Sequence, residues 1–456
     1  MTSAHTRTVD PIAVASADAA VQQVLLLMSA CGWKVIVVDS PPGARKSTLV
    51  VTIADVRTGE HGEQVPIVTQ SNAQSDDLVR ALRTRFAGSG RLIGRLHNST
   101  DYTVPDDLTG DPSLRFSTDV ARLSDCAVIV APAKKWAGVP ASRYSWPFGI
   151  IDEAYQVSSR DLLDCADLFQ ALVAVGDPGQ LSPFTTGDEA LVRGVPVNPL
   201  VSAAHTLLAS HPDAHIVALP VSWRLTPAAA DLVSPAFYTT PFTAGTRTNA
   251  RRMSLPRLGS ADSVDAALGH AATTGWALLE LPEAHMPTTD PRAVDTIASL
   301  VTRTLAAAGS CRDESGRIYP LDGGTIAVGV AHRAQRDAVR ARLAAALRAQ
   351  GIAPETVVVD TANRLQGRQY ELVIAWHPMS GRRHATGFHV DAGRLCVLMS
   401  RHRQACVLVT RGGLREQLES FPQPAPLWLG EHQPAVDGWE ANLTVLERLA
   451  PHRIAA

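Results

Sequence analysis

Short runs of branched apolar residues alternate along the chain with longer Ala-, Leu- and Arg-rich stretches. In the first half the runs fall at 35–38, 65–68, 127–130, 148–151, 172–175 and 216–219; in the second they fall at 276–279, 325–330, 356–359, 372–375 and 406–409. Short apolar strands separated by helical stretches predict parallel sheets wrapped by helices. Two sets of five or six strands predict two α/β domains, one over 1–205 and one over 206–430. The polar, turn-rich segment 88–145 separates two strands of the first set and predicts a small inserted subdomain. Residues 245–263, rich in Arg, Thr and Ser, predict an extended surface connection. Pro-rich sequence from 421 leads to an amphipathic helix over 439–449, expected to be a terminal appendage spanning 431–456.

With 456 residues, 45% hydrophobic and 19% charged, the chain is apolar enough to bury two cores. A formal net charge of −2 excludes a surface coated in positive charge, so nucleic-acid contact would need a local groove. Cys31, Cys126, Cys165, Cys311, Cys396 and Cys406 are scattered without a C-x-x-C pair and predict buried thiols in a reducing compartment. The longest apolar candidate for a membrane span, 24–38, is interrupted by Ser29, Gly32 and Lys34, and residues 1–10 lack a signal-peptide core. The expectation is a soluble cytoplasmic protein with no membrane partner. His377, His384 and His389 share one polar stretch without metal-ligand spacing and read as loop residues.

The first chemical signal follows the strand at 35–38. The run Ser40-Pro41-Pro42-Gly43-Ala44-Arg45-Lys46-Ser47-Thr48 has the outline of the phosphate loop G-x-x-x-x-G-K-[ST], with Ser40 and Arg45 at the two glycine positions. Such a loop offers backbone amides to phosphates, a lysine to the outer phosphates and a hydroxyl to magnesium. Gly43, Lys46 and Ser47 supply all three. By itself this run is equally an ordinary basic turn. Serine at the first position is a mild change. At the second, a left-handed backbone would cost Arg45 about 1–2 kcal/mol and weaken binding by about ten-fold. The alternative is an allowed conformation that adds a second positive charge beside Lys46.

A second strand ends in Asp152-Glu153, suited to holding magnesium through water and to deprotonating an attacking water. A third runs into Gly176-Asp177-Pro178-Gly179-Gln180-Leu181. All three motifs fall at the carboxyl ends of predicted parallel strands, where ligands gather in open α/β sheets.

In this ordered set the chain resembles the superfamily 1 helicases, and within them the up-frameshift-like branch with its bacterial relatives. Asp152-Glu153-Ala154-Tyr155-Gln156 is similar to the branch's D-E-A-x-Q form of the Walker B motif, and Gly176 to Leu181 to its G-D-x-x-Q-L motif. Val221-Ser222-Trp223-Arg224-Leu225-Thr226-Pro227, followed by Phe237-Tyr238, resembles Q-Y-R-M-x-P…F-Y, Asp360 to Gln369 resembles motif V, and Arg394 to Arg403 resembles motif VI. The resemblance covers about 15–415. It implies two tandem RecA-like P-loop NTPase domains that hydrolyse ATP with Mg2+ at their interface and move along single-stranded DNA or RNA, in the 5′-to-3′ sense.

By the same resemblance, Lys46, Asp152, Glu153, Gln180, Arg224 and Arg401 are catalytic, with Gln180 and Arg224 at the γ-phosphate and Arg401 as arginine finger. Pro42 to Thr48, Trp223, Gly367 and Gln369 bind the nucleotide, the Trp223 ring stacking on adenine. Ser47 and Asp152 bind the metal. Ser71, Asn72, Lys134 and Gln366 contact the nucleic-acid strand, with a plain helix cap as the local alternative at Ser71 or Asn72. The chain departs from the pattern at Leu365 and Gln369, and no glutamine stands at Asp18, where the family reads adenine. A helicase-derived binding module with weak or absent hydrolysis is the alternative. Retention of the six catalytic positions together favours the motor.

Overall fold

The computed structural model describes residues 8–100, 102–181, 183, 198, 201–259, 262–384, 386–420 and 435–456. Two compact units emerge: Ser16–Pro178 with Ser182–Pro220, and Met1–Ala15 with Gly179–Leu181 and Val221–Ala456. Each is built on an all-parallel sheet with helices on both faces, which is the expected α/β class and consistent with tandem RecA-like domains.

The first sheet contains β1 (Val35–Asp39), β2 (Val65–Thr69), β3 (Ile93–Leu96), β4 (Leu114–Ser117), β5 (Val128–Pro132), β6 (Gly149–Asp152), β7 (Leu172–Gly176) and β8 (His215–Ala218), in the order β4-β3-β5-β2-β6-β7-β1-β8. Its apolar runs are continuous because both faces are covered. Within β1, Ile36 and Val38 pack into one core while Val35 and Val37 pack into the other. The first of these cores also takes Ala20, Val24 and Met28 of α1 (Pro11–Ser29) and Leu49, Val50 and Ile53 of α2 (Lys46–Glu60).

Every strand expected in this half is present, and three expectations change. The segment 88–145 forms no separate subdomain: β3, β4 and β5 extend the sheet, with β5 pairing directly with β2. Two of these strands read as Ile-Gly-Arg-Leu and Leu-Arg-Phe-Ser, so no apolar run marks them. Arg95 of β3 is fully buried, which is tolerable because its guanidinium meets Asp76 at 2.9 Å, Asn72 Oδ1 at 2.8 Å and the Leu96 carbonyl at 2.6 Å. The domain boundary lies at 220/221 and not at 205, because β8 pairs with β1 and closes that edge of the sheet. A 19-residue helix long and apolar enough, by length and composition, to cross a membrane does occur, α1, although no run of that length was expected.

The second sheet orders its strands Val358–Thr361, Ile326–Val330, Tyr370–Trp376, His402–Arg411, Trp276–Leu281 and Arg453–Ala455. Along Tyr370–Trp376, Val373 and Ala375 enter one core and Leu372, Ile374 and Trp376 the other. The expected appendage is part of this unit. Helix Gly438–Leu449 buries Trp439, Val445, Leu446 and Leu449 in the first of these cores, and Arg453–Ala455 adds an edge strand. Full burial of each such side chain contributes about 1.5–3 kcal/mol, which holds the segment in place. The Pro-rich 421–434 that precedes it lies outside the described residues, as do residues 1–7.

Within 245–263, Arg252–Ser254 joins Ser310–Arg312 and Ile318–Pro320 in a small antiparallel sheet, so the expected surface connection is partly structured. All six cysteines are free; five are buried and Cys31 is exposed.

Candidate nucleotide site

Strands β6, β7 and β1 are neighbours, and their registers pair Asp39 with Gly176 and Asp152 with Val175. The three motifs therefore leave the sheet side by side. Ser40 continues the ladder, its amide donating to the Gly176 carbonyl at 2.8 Å, and its hydroxyl is buried without a partner. The chain then turns through Gly43 (φ 77°) and Arg45 (φ 65°, ψ 42°) into α2, which begins at Lys46 with no side-chain cap on its first turn. Uncapped first-turn amides at the end of a left-handed step are the arrangement that receives phosphate oxygens.

Lys46 reaches back over the strand ends. Its ammonium lies 3.4 Å from Glu153 Oε1 and 4.0 Å from Asp177 Oδ2. Asp152 is buried, and its Oδ1 accepts from the Glu153 amide at 3.0 Å. Burial, reinforced by the Glu153 charge and opposed by Lys46, pushes the Asp152 carboxyl up to about 7. A divalent cation would reverse that preference, and the exposed hydroxyl of Ser47, in the first turn of α2, is a second oxygen donor for it. The donor set fits magnesium with a nucleotide.

Glu153 has φ 55°, the second non-glycine residue of this site in the left-handed region. Its Oε2 accepts from Gln156 Nε2 at 2.9 Å, so the carboxylate is aimed by a neighbour of its own motif. Strained backbone of this kind costs about 1–3 kcal/mol and persists where surrounding structure over-determines it.

One residue not singled out from the sequence, Asp39, belongs here, and the packing around it explains Gly176 of the third motif. Asp39 accepts from the Tyr155 hydroxyl at 2.6 Å, and burial raises its pKa despite that bond, with Asp177 adding to the rise. Gly176 is required by this packing, since a Cβ there would sit 2.8 Å from the Tyr155 ring and 3.0 Å from the Ala154 amide. An aspartate closing an apolar strand has no distinguishing pattern in sequence.

The remaining expected residues divide as follows. Pro42 and Ala44 are buried, and Arg45 and Thr48 exposed. Ser71 caps the helix Asn72–Arg85 in a capping box with Gln74, and Asn72 holds Arg95. Both side chains thus have structural work at the end of β2. Lys134 is exposed just beyond β5.

The second unit carries the other group. Arg224 Nη1 approaches the Ser400 carbonyl at 3.4 Å, and Arg401 Nη2 donates to the Ser400 hydroxyl at 3.0 Å. Arg401 is fully buried, with its Nε lacking a partner. Beside them His402 is pushed down to about 3, first by burial and further by the charges of Arg224, Arg251 and Arg401, so the imidazole is neutral. A buried guanidinium with an unmatched donor is suited to an incoming anion. The Trp223 ring lies against Gly245, where a Cβ would meet it at 2.4 Å. Gln366 Nε2 donates to Gln180 Oε1 at 2.9 Å, and Gly367 (φ 81°) and Gln369 follow in an exposed turn.

Arg45 adopts the left-handed conformation and not the allowed alternative. Because the strain exists without nucleotide, it opposes folding and not binding; only a difference between the two states could weaken affinity. Arg45→Gly is therefore expected to be about 1 kcal/mol more stable than Arg45→Ala, which keeps the Cβ and lacks the charge. Both should bind nucleotide within a few-fold of each other. Urea denaturation and equilibrium nucleotide binding of the pair check this; a ten-fold affinity gain in the glycine variant alone would show that the strain is incurred on binding.

Residues 201–412 match the family model described as an AAA domain (AAA_12). The match includes Trp223, Arg224, Gln366 and Arg401 but not the phosphate loop or Asp152-Glu153. No curated protein matches the chain. Among solved structures, the helicase of PRRSV aligns at 14% identity and a TM-score of 0.40, covering 89% of this chain and 56% of that one. Arterivirus nonstructural protein 10 (helicase) aligns at 14% and 0.43, covering 86% and 61%. The same protein in complex with DNA aligns at 14% and 0.41, covering 86% and 62%. The chain thus spans 56–62% of the length of these proteins.

Proposed function

We propose that the chain is an ATP-dependent nucleic-acid translocase or helicase of superfamily 1, of the up-frameshift-like branch. One observation carries the hydrolytic half: Lys46, flanked by Glu153 and Asp177, stands beside the buried Asp152 at the ends of three adjacent parallel strands. ATP with magnesium supplies the transferable phosphoryl group. Lys46 and the loop amides would bind and orient its phosphates, and Ser47 and Asp152 would hold the cation. Glu153 accepts the proton of the attacking water, held toward it by Gln156. By the motif resemblance, Arg224 and Arg401 would offset charge gathering on the phosphoryl oxygens, and Gln180 would orient the water. The AAA-domain match over 201–412, which takes in Trp223, Arg224 and Arg401, supports assigning the second unit to the same nucleotide-hydrolysing machinery. Movement on single-stranded DNA or RNA, its 5′-to-3′ sense and a cytoplasmic location rest on the motif resemblance.

The test is steady-state ATP hydrolysis by the whole chain, alone and with single-stranded DNA or RNA. Turnover is expected to rise at least several-fold with one of the strands. Strand binding without hydrolysis would replace this reading with a helicase-derived binding module, which the altered loop at Ser40 and Arg45 would suit.

A further inference from the structure

The segment Trp223-Arg224 lies between the short strand Val221–Ser222 and the helix Pro227–Phe237, and its backbone is held by a side chain from elsewhere in the same unit. Arg251 donates from Nη2 to the Trp223 carbonyl at 2.7 Å and from Nη1 to the Arg224 carbonyl. Its Nε donates to Glu314 Oε2 at 2.8 Å. A planar guanidinium fixed at three nitrogens has one orientation, so the direction of both carbonyls follows from where Glu314 stands.

Glu314 is placed by a rigid turn. It follows Asp313, whose Oδ1 accepts from the Ser315 amide and hydroxyl and from the Arg317 amide, between the strands Ser310–Arg312 and Ile318–Pro320. Thr8 donates to the Glu314 carbonyl at 2.6 Å. The same carboxylate oxygen accepts from Arg403 Nη2 at 3.1 Å, and Arg403 Nη1 is held by Glu371 at 3.1 Å. Burial would raise the Glu314 pKa, but the bond and charge of Arg251 outweigh it and bring the carboxyl to about 2, so the group is ionised.

We propose that Glu314 is a positioning residue for recognition of the γ-phosphate, acting through Arg251 to set the backbone from which the Arg224 side chain projects. This rests on the reading of Arg224 as a γ-phosphate contact, and it assigns the antiparallel hairpin a purpose that neither motif order nor spacing indicates. Loss of the carboxylate frees Arg251 to rotate. Arg224 then loses its aim, while the phosphate loop is untouched.

The experiment compares wild type, Glu314→Gln, Glu314→Ala, Arg251→Ala and Glu314→Ala/Arg251→Ala for binding of ADP and of a non-hydrolysable ATP analogue, with melting temperatures alongside. Glu314→Ala is expected to weaken the triphosphate about ten-fold and ADP less than two-fold. Glu314→Gln, the variant least disturbing to folding, should show a smaller loss with the same preference. The double variant should lose no more than Arg251→Ala alone, because the two residues act in series. Equal loss of both nucleotides with a lowered melting temperature would mean a merely structural role and overturn the proposal. So would additive losses in the double variant. Wild type that binds neither nucleotide would overturn the nucleotide reading itself, a result visible before any variant is compared.

Discussion

Replacing Lys46 with alanine is expected to lower ATP turnover at least about 100-fold, the scale seen when one preorganised charge or donor is removed from a developing oxyanion. The ammonium faces Glu153 and Asp177, with Asp152 next to Glu153 in the chain. Phosphates arriving without it would meet three carboxylates and gain repulsion where the intact site gives attraction. Binding must also exchange partners: as the phosphates take the lysine, Glu153 is released from it and becomes available to water. Lys46→Arg keeps the charge but brings a planar fork in place of a compact point charge, and it should recover only part of the rate. Steady-state hydrolysis and single-turnover assays separate the rate effect from affinity. Undiminished turnover in Lys46→Ala would place the hydrolytic centre elsewhere.

Much of this site was legible because it lies on consecutive residues at strand ends. Apolar runs at 35–38, 148–151 and 172–175 located β1, β6 and β7, and the residues after each run were the chemistry. What escaped was whatever depends on distant partners. β3 was hidden because Arg95 interrupts it, and that arginine is compatible with burial chiefly through Asp76 and Asn72, from a helix 19 to 23 residues earlier. The left-handed Glu153 has no local signature, since glutamate, unlike aspartate or asparagine, rarely adopts that conformation unless packing imposes it. Arg251 looked like one of several basic residues on a surface connection, yet it is buried against Glu314, 63 positions away. Local spacing encodes the phosphate loop; the positions of its supports are encoded by the fold.

Replacing Asp152 with asparagine should separate function from stability in opposite directions. Hydrolysis is expected to fall by a factor of 100 or more, since a neutral amide neither neutralises a cation nor anchors it through water as a carboxylate does. The metal-free protein should nevertheless become more stable at neutral and alkaline pH. Burial and the Glu153 charge raise the folded-state pKa to about 7, well above the ordinary aspartate value of about 3.9. Between those two values the folded chain binds more protons than the unfolded one, so wild-type stability declines as pH climbs through this window and levels off beyond it. Asparagine has no proton to lose and escapes the decline. Denaturation in the presence of a chelator should show the variant level with wild type near pH 4 and ahead of it at pH 8 by on the order of 2–4 kcal/mol. Magnesium with a nucleotide should then invert the order, stabilising wild type by mass action while leaving the variant largely unmoved. A stability difference that ignored both pH and magnesium would show that the Asp152 carboxylate is neither strained by its burial nor the group that holds the cation.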